Sequence, residues 1–280
     1  MHPTLAARSL SAAFWKHKVD MMAKLSILVA VGLLVCASSS FSKQVAPAVP
    51  PVYNLVWSDE FDGDAIDLKK WVIADRNITN YDGGINHYDP ANVYVENGNL
   101  VVRSQPTNNP GAKHAPAYSS GRATTKKRFA FLYGKVEVRA KLPGTLGLWP
   151  AIWLLPDDGS WPPEIDMMEL LGNVPTRIIM SHHWGSKKQD LHDQTEFDGP
   201  DFTQDFHVFS IEWQPGLIRW LVDGVERKAV TSHVPNKAMY LILNTSVGGD
   251  WPGMPDASTI FPAYLQIDYV RIYQQPKKHR

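Results

Sequence analysis

Alternating polar and apolar positions run through most of the chain, and helical periodicity is almost absent. Residues 135–142 alternate charged and apolar side chains, as a half-buried strand does because successive side chains point to opposite faces. Residues 92–96 and 100–103 flank Asn97 and Gly98, a dipeptide that favours the tight turn of a β-hairpin. Further β-type runs occur at 218–222, 238–244 and 264–273. Many short strands separated by turns predict an all-β sandwich or jelly roll.

The N-terminal part of the chain has a different pattern. Lys24 precedes an uninterrupted apolar run at 25–35 and a group of small residues at 37–40. This order of charge, apolar run and small residues predicts a secretory signal peptide with an upstream extension in residues 1–43. The run is too short to span a bilayer comfortably, and the Pro-rich linker predicted at 44–52 makes a buried helix the weaker interpretation.

Residues 53–275 form one predicted catalytic domain, since no internal repeat or linker interrupts them, and residues 276–280 form a basic tail. The only cysteine, Cys36, precedes this domain, which therefore contains no disulfide or thiolate metal site. The sequence predicts a secreted protein, extracellular or periplasmic, whose mature domain does not bind a membrane. A lipid anchor on Cys36 is the alternative, because residues 33–36 resemble a bacterial lipobox, although Val35 is larger than the small residue expected there.

Charge and aromatic content narrow the range of partners. The 28 Lys and Arg residues balance 28 Asp and Glu residues, so no broad basic field attracts nucleic acid. The chain contains 10 Trp, 10 Tyr and 10 Phe, more rings than packing alone explains, which indicates a ligand that stacks on aromatic side chains. We assign Trp57, Trp71 and Trp213 to packing.

Three acidic residues, Glu164, Asp166 and Glu169, lie within one apolar segment. Strict strand alternation places Glu164 and Asp166 on one face and Glu169 on the other. One extra residue in the strand, a β-bulge near Met167 and Met168, returns Glu169 to the face of the other two acids. The segment therefore predicts a bulged strand with three carboxyl groups on one side.

Neighbouring carboxyl groups repel each other and resist joint ionisation, so such a cluster is costly unless it has a use. A two-carboxylate hydrolase needs one ionised group to attack and one protonated group to donate. In retaining glycosidases these groups lie roughly 5–5.5 Å apart. We predict that Glu164 is the nucleophile, Asp166 its hydrogen-bonding partner and Glu169 the general acid/base. The alternatives to a catalytic role for these acids are a solvated acidic strand face and a calcium site.

The sequence resembles the laminarinase-like branch of the family 16 glycoside hydrolases, whose signature Glu-x-Asp-x-x-Glu is matched by residues 164–169. Other matching segments are 57–63, 120–122, 147–153, 222–224, 248–253 and 268–273. The resemblance implies a β-jelly-roll sandwich of two curved antiparallel sheets with a substrate groove on the concave face. Pro163 departs from the glycine common before the first acid, which changes the strand entrance without removing a reacting group.

The resemblance also implies which residues hold the sugar. The predicted substrate-binding residues are Asn86, Arg122, Trp149, Trp153, Trp161, His183 and Trp251. Trp153 is assigned either to the groove wall or to the core. Strand register decides whether His182 or its neighbour enters the groove, and the resemblance favours His183.

Many members of this family bind calcium on the convex side of the sandwich. Glu60, the Gly98 carbonyl and Asp268 are the matching positions, so a structural calcium is an expectation for this chain. No cofactor is required for the reaction, since two carboxyl groups cleave a glycoside without a metal.

The implied function is that of a monomeric, retaining endo-glycoside hydrolase. Its expected partner is a β-glucan polysaccharide, either β-1,3-glucan (laminarin) or mixed β-1,3/1,4-glucan, cleaved at internal β-1,3 bonds. One alternative is a hydrolase of agar- or carrageenan-type galactans, for which Arg122 is the one clear cationic candidate. A noncatalytic β-glucan recognition module is disfavoured because all three acids are retained, and a transglycosylase would use the same covalent intermediate.

Overall fold

A computed structural model describes residues 52–75, 84–107 and 117–276. These ranges belong to one compact unit of the chain, Pro50–Arg280. The predicted signal peptide with Cys36 lies outside the described residues, as do the linker except Val52 and the tail except Pro276. No helix within the described ranges has the length and apolar character needed to cross a membrane.

Two β-sheets account for nearly all regular structure in the described ranges. The strands of the ten-stranded sheet are β1 (Asn54–Asp59), β3 (Asn86–Tyr88), β4 (Val93–Glu96), β5 (Asn99–Pro106), β6 (Tyr118–Ser120), β8 (Gly134–Lys141), β13 (His207–Gln214), β14 (Leu217–Val222), β15 (Val225–Val230) and β17 (Ala263–Gln274). The strands of the seven-stranded sheet are β2 (Val72–Ile73), β7 (Arg122–Thr124), β9 (Leu148–Pro156), β10 (Glu164–Glu169), β11 (Arg177–Ser186), β12 (Gln189–Asp198) and β16 (Met239–Val247). A short 3-10 helix, Pro90–Asn92, precedes β4.

The larger sheet runs in the order β15-β14-β13-β8-β17-β5-β6-β3, with β1 on β17 and β4 on β5. The smaller sheet runs in the order β12-β11-β10-β9-β16-β7-β2. The described pairings are antiparallel apart from the parallel pair β3 and β6. This two-sheet jelly-roll architecture confirms the predicted fold class.

Local sequence explains how several of these strands form. Buried and half-buried residues alternate strictly along β8, as its charge pattern predicts. Asn97 and Gly98 have φ values of 52° and 73° and join β4 to β5, with Glu96 opposite Asn99. Two successive positive φ values suit an Asn-Gly turn, because this dipeptide tolerates the left-handed region.

One hydrophobic core lies between the sheets, with side chains such as Ile152 and Ile165 from the smaller sheet and Phe209 and Ile211 from the larger one. Trp71 and Trp213 are fully buried, and Trp57 packs against this core, which confirms their assignment to packing. The face of the smaller sheet that points away from the core carries the groove described below.

Candidate active site

Strand β10 contains the irregularity that its sequence predicts. On the β11 side, Asp166 pairs with Ser181 and Glu169 pairs with Ile179, so two residues of β10 oppose the single residue Met180. The pairing with β9 shifts at the same place, between Asp166 and Met168. This extra residue is a β-bulge.

Because of the bulge, Glu164, Asp166 and Glu169 all line one groove with a volume of about 690 Å³. The intervening Ile165 and Met168 are fully buried in the core. The three carboxyl groups therefore meet above a rigid apolar support.

Each acid accepts a hydrogen bond from a neutral donor. Trp161 Nε1 donates to Glu164 Oε2 over 2.9 Å, and Trp149 Nε1 donates to Glu169 Oε1 over 2.9 Å. Ser181 Oγ donates to Asp166 Oδ2 over 2.6 Å. The two tryptophans predicted as sugar platforms thus also hold the two glutamates, a role that sequence spacing alone does not indicate.

Burial and mutual repulsion dominate the electrostatics of this cluster. Burial, followed by the negative charge of Asp166, raises the pKa of Glu169 well above its usual value, and Glu164 raises it further. Burial and Asp166 also raise the pKa of Glu164, while the nearby His183 opposes that rise. The environment therefore keeps a proton within the cluster, while His183 favours the ionised form of Glu164.

His183 faces the carboxyl groups from β11. Its Nε2 lies 3.3 Å from Asp166 Oδ2 and 3.9 Å from Glu164 Oε1, and its Nδ1 lies 3.0 Å from Asp190 Oδ2. Burial alone would lower the pKa of His183, but the hydrogen bond and charge of Asp166, together with Glu164 and Asp190, raise it to about 10. The imidazole is therefore a cation at neutral pH.

His182 points away from the groove, as strand alternation requires. It is 1% exposed and stacks on Trp184, with ring centroids 4.8 Å apart. Burial, with the nearby charge of Lys228, lowers the pKa of His182 to about 4. The register of β11 thus makes His182 neutral and the adjacent His183 cationic at neutral pH.

The remaining aromatic candidates lie along the same groove. Trp149 and Trp251 make an edge-to-face contact with ring centroids 5.0 Å apart, and Trp251 is 38% exposed. Trp153 also lines the groove and donates from Nε1 to Asn244 Oδ1 over 2.7 Å. Trp153 was assigned either to the groove wall or to the core, and it lies in the groove wall.

Asn86 and Arg122 are both buried, and direct contact of either residue with the sugar stays a prediction. Asn86 is buried, and its Oδ1 accepts a hydrogen bond from the Val247 backbone over 2.8 Å. Arg122 is 7% exposed, and its guanidinium lies 5.6 Å from the Trp153 ring centroid. Neither residue is among those that line the groove, and both make contacts with residues far away in sequence.

The carboxyl groups expected to bind calcium are each paired with an arginine. Glu60 accepts two hydrogen bonds from Arg271, over 3.0 and 2.8 Å, and Asp268 Oδ2 lies 2.6 Å from Arg139 Nη1. Gly98 lies in the β4–β5 turn. This arrangement does not fit calcium ligation by the two carboxylates, since each would first have to leave its guanidinium group.

Strand β12 contributes groove residues that were not predicted from the sequence. Asp190, His192 and Gln194 line the groove from this strand. Their spacing of two residues is a strand signal, because alternate side chains share a face. The signal is weak because Leu191 and Phe197 are the only apolar residues of β12.

An aromatic-lined groove that holds two glutamates beside an aspartate is typical of glycoside hydrolases that act through two carboxyl groups. Residues 85–271 match the family model for glycosyl hydrolases family 16, and the chain belongs to this family.

Curated and structural relatives agree with this assignment. The chain is 35% identical over 259 residues to glucan endo-1,3-beta-glucosidase A1 of Niallia circulans, covering 79% of this chain and 38% of that protein. It is 35% identical over 260 residues to a beta-glucanase of Rhodothermus marinus, covering 80% of this chain and 86% of that protein. The solved catalytic domain of an endo-1,3-beta-glucanase (laminarinase) from Thermotoga petrophila has a TM-score of 0.74 and 35% identity, over 81% of this chain and all of that domain.

Proposed function

We propose that this protein is a retaining endo-hydrolase that cleaves internal β-1,3 bonds of β-1,3-glucan or mixed β-1,3/1,4-glucan. The observation that carries the proposal is the bulged strand β10, which brings Glu164 and Glu169 into one groove. The glucanase names of its relatives support the choice of substrate.

The reaction takes two steps in this proposal. Glu164 attacks the anomeric carbon while Glu169 donates its proton to the departing glycosidic oxygen, so that a glycosyl ester forms and the leaving chain is released. Glu169, now ionised, takes a proton from a water molecule whose oxygen attacks the same carbon. Glu164 leaves as a carboxylate and Glu169 is protonated again.

The environments of the two glutamates support these roles. Glu164 lies 3.9 Å from the His183 imidazolium, which favours the ionised form that a nucleophile needs. Glu169 is repelled by both Asp166 and Glu164, which favours the protonated form that an acid needs. Ser181 and His183 both contact Asp166, so this residue positions the cluster without reacting.

The aromatic groove supports binding of an unsubstituted glucan. Pyranose rings present flat C–H faces that pack on indole rings. Trp149, Trp153, Trp161 and Trp251 line the groove around the three acids. We infer that Trp149 and Trp161 form sugar subsites in addition to holding the glutamates.

Reducing-sugar release from laminarin and barley β-glucan, measured beside agarose and carrageenan, tests the substrate class. We expect turnover of laminarin and barley β-glucan. Proton NMR at early times should show that the newly released reducing ends have the β configuration. No turnover of either glucan defeats the substrate assignment, and α-configured ends defeat the retaining mechanism.

Hydrolysis of a sulfated galactan is the second candidate, because a lysine side chain does line the groove. Lys126 is the single Lys or Arg among the described lining residues, and its Nζ lies 5.2 Å from the Tyr240 ring centroid. The same panel decides between the two, since turnover of carrageenan without laminarin would select the galactan. A noncatalytic recognition module would bind laminarin without turnover.

Export is also part of the proposal. The charge, apolar and small-residue pattern of residues 1–43 supports removal of this segment during secretion to the periplasm or the medium. Mass spectrometry of the exported protein tests it, and an intact N-terminus would contradict it. Gel filtration tests the expected monomer.

A further inference from the structure

The hairpin of β11 and β12 brings three side chains that can bind a metal ion to the edge of the groove. His183 lies directly opposite His192 in the antiparallel register, and Asp190 lies two residues before His192. Directly opposed residues have Cβ atoms about 4.5–5.5 Å apart, and residues two apart on a strand share a face. The three side chains therefore converge.

Measured distances agree with this placement. His183 Nδ1 lies 3.0 Å from Asp190 Oδ2 and 3.2 Å from Oδ1, and His192 Nδ1 lies 4.0 Å from Asp190 Oδ2. One ligand atom from each residue falls within 4.8 Å of the other two. The side chains of His192 and Asp190 are 53% and 33% exposed, so an ion reaches them directly from solvent.

We propose that His183, Asp190 and His192 form a binding site for a divalent transition-metal ion, with Zn²⁺ as the representative. Two imidazole nitrogens and one carboxylate oxygen, with a fourth position left for water, suit the tetrahedral preference of Zn²⁺. Ca²⁺ and Mg²⁺ favour oxygen ligands, so this donor set discriminates against them.

Binding exchanges the ion for a proton. His183 Nδ1 donates a hydrogen bond to Asp190, and the ion takes the place of that proton between the nitrogen and the carboxylate. The proton leaves to solvent, while the proton on Nε2 continues to face Asp166. The net gain of one positive charge lies one imidazole ring away from the reacting acids.

This position gives the site a consequence for catalysis, which rests on the function proposed above. The added positive charge favours ionisation of Glu169, the group that must donate a proton. The ion also occupies a stretch of groove wall formed by all three ligands. Zn²⁺ is therefore an inhibitor of the hydrolase.

A second possible metal-ligand group, formed by Glu164, Asp166 and His183, belongs to the active site. The hairpin site is separable from it, because Asp190 and His192 come from β12 rather than from β10. His192 is thus the residue whose substitution removes a ligand while leaving the three acids and His183 in place.

Isothermal titration calorimetry of ZnCl₂ into the full chain, purified without a polyhistidine tag and without glucan present, tests the site. The wild type should bind one more equivalent than His192→Ala, or bind it at least about tenfold more tightly, because even the outer-shell partners of metal ligands contribute about ten- to 100-fold in affinity. Varying the ionisation enthalpy of the buffer should reveal the released proton.

Leu191→Ala is the matched control, since Leu191 lies between the two β12 ligands and alternation turns its side chain to the other face. It should bind Zn²⁺ as the wild type does, and CaCl₂ should produce no heat that distinguishes the wild type from His192→Ala. Equal Zn²⁺ binding by the wild type and His192→Ala, or none by either, overturns the site.

Laminarin hydrolysis provides a separate measurement. Zn²⁺ should inhibit the wild type reversibly, with recovery after EDTA, and should inhibit His192→Ala at least about tenfold less strongly, in line with the loss of affinity. Binding without inhibition overturns the link to catalysis. A wild type that hydrolyses no glucan contradicts the proposed function, while calorimetry still decides the metal site.

Discussion

At the scale of single residues, Trp149 and Trp161 have two roles that one substitution can separate. Each presents a ring to the groove and donates its indole N–H to a reacting glutamate. Phenylalanine keeps a ring and removes the donor. A hydrogen bond to a charged group contributes about 1.5–3 kcal/mol, so the loss should affect protonation as well as rate.

We predict that Trp149→Phe and Trp161→Phe shift opposite limbs of the pH–rate profile. The Trp149 donor lowers the pKa of Glu169, so its removal raises that pKa and moves the alkaline limb to higher pH. The Trp161 donor lowers the pKa of Glu164, so its removal moves the acidic limb to higher pH. The profile of kcat/KM on laminarin measures both, and identical shifts in the two variants would contradict the assignment of roles.

Glu169→Gln should lower kcat by about 10²–10⁴-fold, the usual contribution of a general acid/base. Laminarin binding should be kept, because the amide has nearly the shape of the carboxyl group. Glu226→Gln is the control, since Glu226 is half-exposed in an ion pair with Arg219 and has no part in the groove. An equal loss of rate in both variants would point to general damage.

At the scale of strands, one hydrogen bond ties the catalytic strand to the opposite sheet. Trp220 of β14 is fully buried and donates from Nε1 to the backbone oxygen of Asp166 over 2.8 Å, at the beginning of the bulge. Buried carbonyl groups require a partner, and at this position the partner comes from the other layer. The larger sheet therefore helps to fix the position of the acids.

Trp220→Phe should lower both stability and kcat. Leaving the Asp166 carbonyl unsatisfied costs about 1–3 kcal/mol, measurable by urea denaturation. Trp213→Phe is the matched control, because Trp213 is equally buried in the same sheet and donates to the Pro235 carbonyl over 3.1 Å, away from β10. It should lose similar stability with kcat unchanged, and a similar fall of kcat in both variants would argue against a special role for Trp220.

The elements that could be predicted from sequence are those with a local signal. The alternation of β8, the Asn97 turn and the bulge of β10 are each encoded within a few residues, and each is present. Strand β12 was not predicted, because its residues are nearly all exposed and only Leu191 and Phe197 among them are apolar. The contacts of Asn86 with β16 and of Arg122 with Trp153 join residues far apart in sequence, so no local pattern indicates them.

At the scale of the whole molecule, His182 and His183 make the stability of the folded protein depend on pH in opposite directions. The pKa of His182 falls from 6.5 to about 4 on folding, mainly through burial, so the unfolded chain binds more protons between these values. Stability from this group therefore rises with pH through that window. The pKa of His183 rises to about 10, so its contribution is complete below 6.5 and is lost between 6.5 and 10.

We therefore predict that thermal unfolding distinguishes the two positions. The melting temperature of the wild type should exceed that of His183→Gln most near pH 6, and the difference should shrink steadily towards pH 10 as the imidazolium loses its proton. His207→Gln is the control for replacing a histidine that pairs with an aspartate, since His207 pairs with Asp223 on the larger sheet. A His183→Gln difference that is constant from pH 6 to 10 would mean that the ring is uncharged in the folded protein. In that case no positive charge would lie beside Glu164 to favour its ionisation.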